Sequence, residues 1–225
     1  MKVLALADLH GKFFRLDGII KKCDPVDLVI VAGDLTHGGP PVSAVRSIAI
    51  LKIFCPRVFC VPGNWDTPDV VQMIDQHAVN LDRSPRMVMD IGFMGVGYSN
   101  PTGNNTPAEL SEEALSGKLD AILGSMPVVS RAASPASLPL AAQTVLVTHA
   151  PPLNTLDMTS DGAKGSKALR AALDRVDVII CGHIHKARGK VKDGAWVINP
   201  GYAAEGQAAI IDLSTMDIIW IDSVV

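Results

Sequence analysis

Three features of this chain predict an α/β fold. Short runs of aliphatic and β-branched residues alternate with segments whose apolar residues recur at helical spacing. The runs are continuous rather than alternating, which marks strands covered on both faces. Near the C-terminus the pattern changes to short strands joined by turns, which predicts an antiparallel or mixed second sheet.

Strand candidates are KVLALAD (2–8), DLVIVAG (27–33), RVFCVPG (57–63), RMVMDIGFMGVG (86–97), TVLVTHA (144–150) and DVIICGH (177–183). Helical spacing occupies RLDGIIKK (15–22), VSAVRSIAILKIF (42–54), DVVQMIDQHA (69–78) and SKALRAALDRV (166–176). AWVINPG, QAAIIDLS and DIIWIDSVV supply the terminal strands. Residues 99–142 read as an irregular insertion near the strand ends. It has a helix start near Ala108, signalled by Thr106, Pro107 and Glu109, and a closing loop, SRAASPASLPLAAQ. Such an insertion serves as a lid, an interface or plain surface.

With 225 residues, 48% of them hydrophobic and 19% charged, the chain reads as one domain with a sizeable core rather than a disordered polymer. A net charge of −3 provides no global basic field for nucleic acid. The start, MKVLALADLH, is interrupted by Asp8 and His10 and does not read as a signal peptide, and no apolar run is long enough for a membrane span. Cys23, Cys55, Cys60 and Cys181 form no C-x-x-C pair and are expected to be reduced and structural, in a cytoplasmic protein.

The residues just past five strand candidates share a chemistry. These are Asp8-Leu9-His10, Gly33-Asp34-Leu35-Thr36-His37, Gly63-Asn64-Trp65-Asp66, Thr148-His149-Ala150 and Gly182-His183-Ile184-His185. Each fragment alone fits a solvated loop, and His149 alone fits a satisfied core histidine. Ligands bind outside the carboxyl ends of strands in α/β sheets, so the five together converge on one crevice. Two divalent cations about 3.5–4 Å apart need a bridging carboxylate with imidazole and oxygen ligands. Asp34 is the natural bridge. Asp8, His10 and His185 complete one site, and Asn64, His149 and His183 the other. Nitrogen and oxygen donors without thiolate favour Mn, Fe, Ni or Zn.

In this order the blocks resemble the calcineurin-like metallophosphoesterases, whose pattern is D-x-H, G-D, G-N-H-[D/E], a lone H, then G-H-x-H. The resemblance runs from Asp8 to His185 and on through Asn199-Pro200-Gly201. It implies a four-layer α/β/β/α sandwich of two mixed sheets. It also implies hydrolysis of a small phosphoester, by a hydroxide bridging two divalent metals, with Asn64 and His149 near the substrate.

One position departs from that pattern. Trp65 stands where the family has a histidine, which in relatives lies near the scissile phosphate. Indole only donates and carries no proton shuttle near neutral pH. His37 occupies the place of an aspartate found in many relatives, and is the candidate to supply an imidazole near the leaving group. Its competing reading is a surface or supporting histidine, with Trp65 filling space. No arginine follows the G-D block to clamp a monoester, which favours phosphodiesters. A nuclease, or a scaffold that keeps the fold and uses its surface for protein contacts, are the alternatives, and a homo-oligomer is left open. Asp66 is expected to cap a helix or brace the metal loop, His77 to lie on a helix away from the site, and KARGKVK to form a solvated hairpin.

Overall fold

The computed structural model describes residues 1–126 and 143–223. Strands β1 (Lys2–Leu6), β2 (Leu28–Ala32), β3 (Val58–Val61) and β4 (Val79–Asn80) alternate with helices α1 (Arg15–Ile20), α2 (Pro41–Phe54) and α3 (Pro68–His77). Next come β5 (Arg86–Val88), β6 (Ile91–Val96), α4 (Glu112–Ser125), β7 (Gln143–Thr148), the small strands β8 (Met158–Thr159) and β9 (Gly162–Ala163), and α5 (Lys167–Arg170). The chain closes with β10 (Val178–Ile180), β11 (Gly189–Asp193), β12 (Ala195–Asn199), a 3-10 turn at Ala203–Glu205, β13 (Gln207–Asp212) and β14 (Ile218–Asp222).

Two six-stranded mixed sheets result, in the orders β14-β13-β1-β2-β3-β4 and β11-β12-β10-β7-β6-β5. Their inner faces meet through Val3, Ala5, Ile30, Phe59, Phe93, Val145 and Ile180. The alternate residues Leu4, Leu6, Val29 and Val31 face outward onto α1, α2 and α3. Leu115, Leu119 and Leu169 of α4 and α5 cover the outer face of the second sheet. Period-two alternation therefore gives each strand two apolar faces, which is why the runs read as continuous. The layers are helix, sheet, sheet, helix, as the family resemblance implied.

Several elements differ from the sequence reading. Residues 86–97 form a hairpin, not one strand, because Met89 turns the chain at φ +55 and Val88 pairs with Ile91. No helix starts at Ala108. Glu109 instead accepts hydrogen bonds from the Thr102 and Thr106 hydroxyls, while α4 begins later, capped by Ser111 Oγ accepting from Ala114 N at 3.2 Å. Only Lys167–Arg170 of the 166–176 segment is α-helical. The terminal strands do not make a sheet of their own: β12 lies parallel to β10 in the second sheet, and β13 pairs antiparallel with β1 in the first. Short connections allow this split, since each strand completes an edge already started. The hairpin expected at KARGKVK is β11 against β12. The SRAASPASLPLAAQ loop lies, except for Gln143, outside the described residues.

Residues inside the expected insertion belong to the sandwich. Lys118 of α4 reaches the Asp82 carboxylate at 2.9 Å, and Asp82 also accepts from Gly97 N at the end of β6. Glu112 accepts from Ser166 Oγ, Lys167 N and Ala168 N, tying the starts of α4 and α5 together.

Phe93 is fully buried between the sheets and meets Phe59 edge-to-face at 5.6 Å. Phe93→Ala is expected to cost about 3–5 kcal/mol in urea unfolding while the circular dichroism spectrum of the folded protein is retained.

Candidate metal centre

Parallel pairing of β1, β2 and β3, and of β7 and β10, puts the carboxyl ends of both sheets on one rim. The residues there leave the strands abruptly: Asp8, His10, Asp34 and His183 have φ of +59, +44, +51 and +70. Left-handed backbone at four non-glycine residues costs energy and is held by the surrounding structure. Bonds between the loops do this, from Asp8 N to the Gly33 carbonyl, His10 N to the Asp34 carbonyl and Gly182 N to the His149 carbonyl.

Glycine at two of these ends answers close approach rather than a turn. A Cβ on Gly63 would stand 2.0 Å from Asp34 Oδ1, and one on Gly182 would stand 2.6 Å from Ala7 Cβ and 2.8 Å from Asp8 Oδ2. Backbone of one strand end thus lies directly against a carboxylate of another.

All seven expected ligands come together. Asp8 and His149 are 0% exposed, Asn64 1% and Asp34 2%. His149 Nδ1 donates to the Ala32 carbonyl at 2.9 Å, which leaves a lone pair on Nε2 in the neutral ring. Around that Nε2 stand Asn64 Oδ1 at 2.8 Å, His183 Nδ1 at 3.2 Å and Asp34 Oδ2 at 3.4 Å. On the other side, His10 Nε2 lies 3.2 Å from His185 Nε2 and 3.6 Å from Asp34 Oδ2, and His185 Nε2 is 3.5 Å from Asp8 Oδ1. Asp34 Oδ2 therefore sits between the two groups of ring nitrogens.

These separations match the edges of a coordination shell. Two ligand atoms about 2.0–2.1 Å from one ion are roughly 2.8–3.4 Å apart at octahedral or tetrahedral angles. Two groups, Asp8 with His10 and His185, and Asp8 with Asp34 and His149, keep their donor atoms within 4.8 Å of one another. Asp8 Oδ1 is buried with no hydrogen-bond partner, although Asp8 Oδ2 accepts from His183 N at 3.0 Å. A buried carboxylate oxygen without a donor is costly, and a cation satisfies it. The residues fit a divalent metal.

Proton affinities carry the same crowding. Burial alone would lower His149, but Asp34, with Asp8 behind it, raises its pKa to about 9. Burial and then the His149 charge push His183 down to about 4. Burial opposes ionisation of Asp34, yet the charge of His149 and then its hydrogen bond outweigh it, holding the carboxyl below its usual range. A metal ion held through His149 Nε2 requires that nitrogen to be unprotonated.

The remaining expected residues have clear places. Asp66 braces the loops, as its carboxylate accepts from Leu35 N, Thr36 N, Thr36 Oγ1 and Gly63 N at 2.9–3.1 Å. His37 lies beside His10, with its ring stacked on Trp65. His77 ends α3 and is exposed. Arg188 pairs with Asp222, and Lys190 covers Trp196, so that basic stretch is engaged at the sandwich edge. Asn199 donates to the Ile184 carbonyl and accepts from Gly201 N, so the Asn-Pro-Gly triplet holds the turn that carries His183 and His185.

A cleft of about 310 Å³ opens beside the cluster, walled by Asp34, Asn64, Trp65, His183 and His185, by Pro101–Thr106, and by Thr159, Asp161 and Lys164 of the β8–β9 hairpin. Sequence reasoning missed that hairpin, whose signal was the Asp161-Gly162 turn. It also missed Tyr202, whose ring stacks on His185 at 3.9 Å and 8°. No sequence signal marked Tyr202 beyond its place after Asn-Pro-Gly.

The family model of the calcineurin-like phosphoesterase superfamily domain matches residues 1–218, and the chain belongs to that superfamily. An uncharacterised protein of Methanocaldococcus jannaschii is 34% identical over 209 residues, covering 89% of this chain and 88% of the relative. A crystal structure of a Thermus thermophilus protein superposes with a TM-score of 0.75 at 14% identity, covering 99% and 98% of the two chains. An archaeal phosphodiesterase superposes at 0.53 with 16% identity, covering 99% of both chains. The phosphopantetheinyl hydrolase of Mycobacterium tuberculosis does so at 0.55 with 18% identity, covering 89% of both. Such low identities establish shared architecture. Among the described residues no helix is long and apolar enough to cross a membrane.

Asp66→Ala leaves three backbone donors and a hydroxyl without their acceptor, all in buried loops. It is expected to destabilise the metal-free protein by about 3 kcal/mol or more, read from the guanidinium unfolding midpoint.

Proposed function

We propose that the protein is a phosphoesterase that hydrolyses small phosphodiesters with two divalent transition-metal ions, Mn, Fe, Ni or Zn. Asp8, His10 and His185 hold one ion, Asn64, His149 and His183 the other, and Asp34 bridges them. The observation that carries this reading is the convergence of Asn64 Oδ1, Asp34 Oδ2 and His183 Nδ1 on the lone pair of His149 Nε2, beside the partnerless Asp8 Oδ1. Acceptors so gathered repel unless a proton or a metal cation lies among them, and the mixed nitrogen and oxygen donor set suits a metal. Bound ions of this kind lower the pKa of water and offset charge on a phosphoryl group.

The chain's own residues supply the rest. Ala32 holds the His149 ring, and the Trp65 N–H holds Asp34 Oδ1 at 2.8 Å. Asn64 lines the cleft where the phosphoryl group would sit, whereas His149, expected near the substrate, is fully buried and does not line that cleft. Pro101, Trp65 and the β8–β9 hairpin wall one side of the cleft. Lys164 is the single ammonium or guanidinium on the described cleft wall, which suits a diester's one charge better than a monoester's two. Four free thiols, three of them buried, fit work in the reducing cytoplasm.

The test is hydrolysis of bis-p-nitrophenyl phosphate and p-nitrophenyl phosphate by stripped protein resupplied with Mn(II), Ni(II), Fe(II), Zn(II) or Mg(II). Metal-dependent turnover, faster on the diester, is expected. Asp34→Asn should lower it roughly 100-fold or more, because it removes the bridging charge. Uptake of two ions without turnover of either ester overturns the reading in favour of a binding scaffold.

A further inference from the structure

His10 is held from two directions. Nε2 faces the cluster, and Nδ1 points away, 3.0 Å from Nδ1 of His37. Two ring nitrogens at that distance form a hydrogen bond only when one donates and the other accepts. A histidine that ligates through Nε2 carries its proton on Nδ1 and needs an acceptor there. His149 has the mirror arrangement, with the Ala32 carbonyl as that acceptor. For His10 the atom in the corresponding place is an imidazole nitrogen.

His37 is itself exposed, so something must fix its ring. Trp65 does this, stacked on it with centroids 4.0 Å apart and planes 24° from parallel. Gly38 N also donates to the Trp65 carbonyl at 2.9 Å, locking the turn after His37 to the tryptophan backbone. The indole lines the cleft, and His37 is not among the lining residues. Trp65 thus touches both the cleft and the histidine.

We propose that His37 is a positioning residue: it accepts the Nδ1 proton of His10, so that the Nε2 lone pair faces the metal, and Trp65 acts by holding His37 in that orientation. In that arrangement the proton of His37 sits on its Nε2, on the far side of the ring from His10. This role differs from the leaving-group acid that the sequence suggested for His37. The inference rests on the metal-dependent reading of the site given above.

The experiment is Mn(II) titration of stripped protein, with free ion read by electron paramagnetic resonance, for wild type, His37→Ala, His37→Asn, Trp65→Ala and the His37→Ala/Trp65→Ala pair. Wild type should take up two ions. His37→Ala should weaken one of them by roughly 10–100-fold, with the other ion and the metal-free melting temperature unchanged. His37→Asn keeps an acceptor and should recover part of the loss. Trp65→Ala should reproduce the loss, and the pair should add little to it, as for residues acting in series. Unchanged affinity for both ions in His37→Ala overturns the inference, and does so in favour of an acid role if the pH profile of kcat moves instead. Equal weakening of both ions with a lowered melting temperature also overturns it, as a general structural effect. Failure of wild type to bind two ions overturns the metal-dependent reading itself, which the variants then need not be consulted to decide.

Discussion

Asp8 and Asp34 end neighbouring parallel strands, both shielded from water, and two carboxylates buried so close together must be compensated. Most of the unusual features of the rim answer this demand. His183 N donates to one carboxylate and Trp65 N to the other. Gly63 and Gly182 lack the Cβ atoms that would keep strand ends from reaching them. Left-handed backbone at Asp8 and Asp34 turns their side chains inward instead of letting the chain run on. Even so, Asp8 Oδ1 has no protein hydrogen-bond donor, a demand that a bound cation would meet.

Asp66 solves the adjoining problem by another route. It too is fully buried, yet every donor around it belongs to backbone or to Thr36. Burial and then the Asp34 charge raise its carboxyl to about 7, against the pull of those donors. The network joins the loops after β2 and β3, so the spacing of Asp34 and Asn64 is set by hydrogen bonds that do not touch a ligand atom. Trp65 lies between the two solutions. Its backbone serves Asp34 and its ring serves His37, which answers why an indole stands between two polar residues at a strand end.

Much of this was legible in the chain because strand ends and ligand types repeat at five places. Continuous apolar runs marked an α/β fold, the family resemblance supplied its four layers, and the polar residues past each run marked the rim. What stayed hidden depends on pairing across distance. β13 reads the same whether it joins the first sheet or the second, and only its register with β1 decides. Glu109 reads as a helix signal, but its carboxylate is claimed by two threonine hydroxyls at close range. The Met89 turn was hidden because a positive φ at methionine has no sequence signature. Tyr202 was missed for a related reason: stacking on His185 is a tertiary fact with no periodicity behind it.

The two ligand groups are consequently stabilised in different ways. His149 is fully buried and anchored to main chain, through the Ala32 carbonyl on the neighbouring sheet. Any folded state that keeps the sheet packing keeps that ring in place. His10 and His185 are oriented by side chains, His37 on one side and Tyr202 on the other, and the His185 side chain is 36% exposed. Their geometry can change through rotamers without disturbing a strand. Fold register thus sets the inner group, whereas aromatic packing sets the outer one. Trp65, which stands where the family pattern has a histidine, packs its ring on the outer side, against His37.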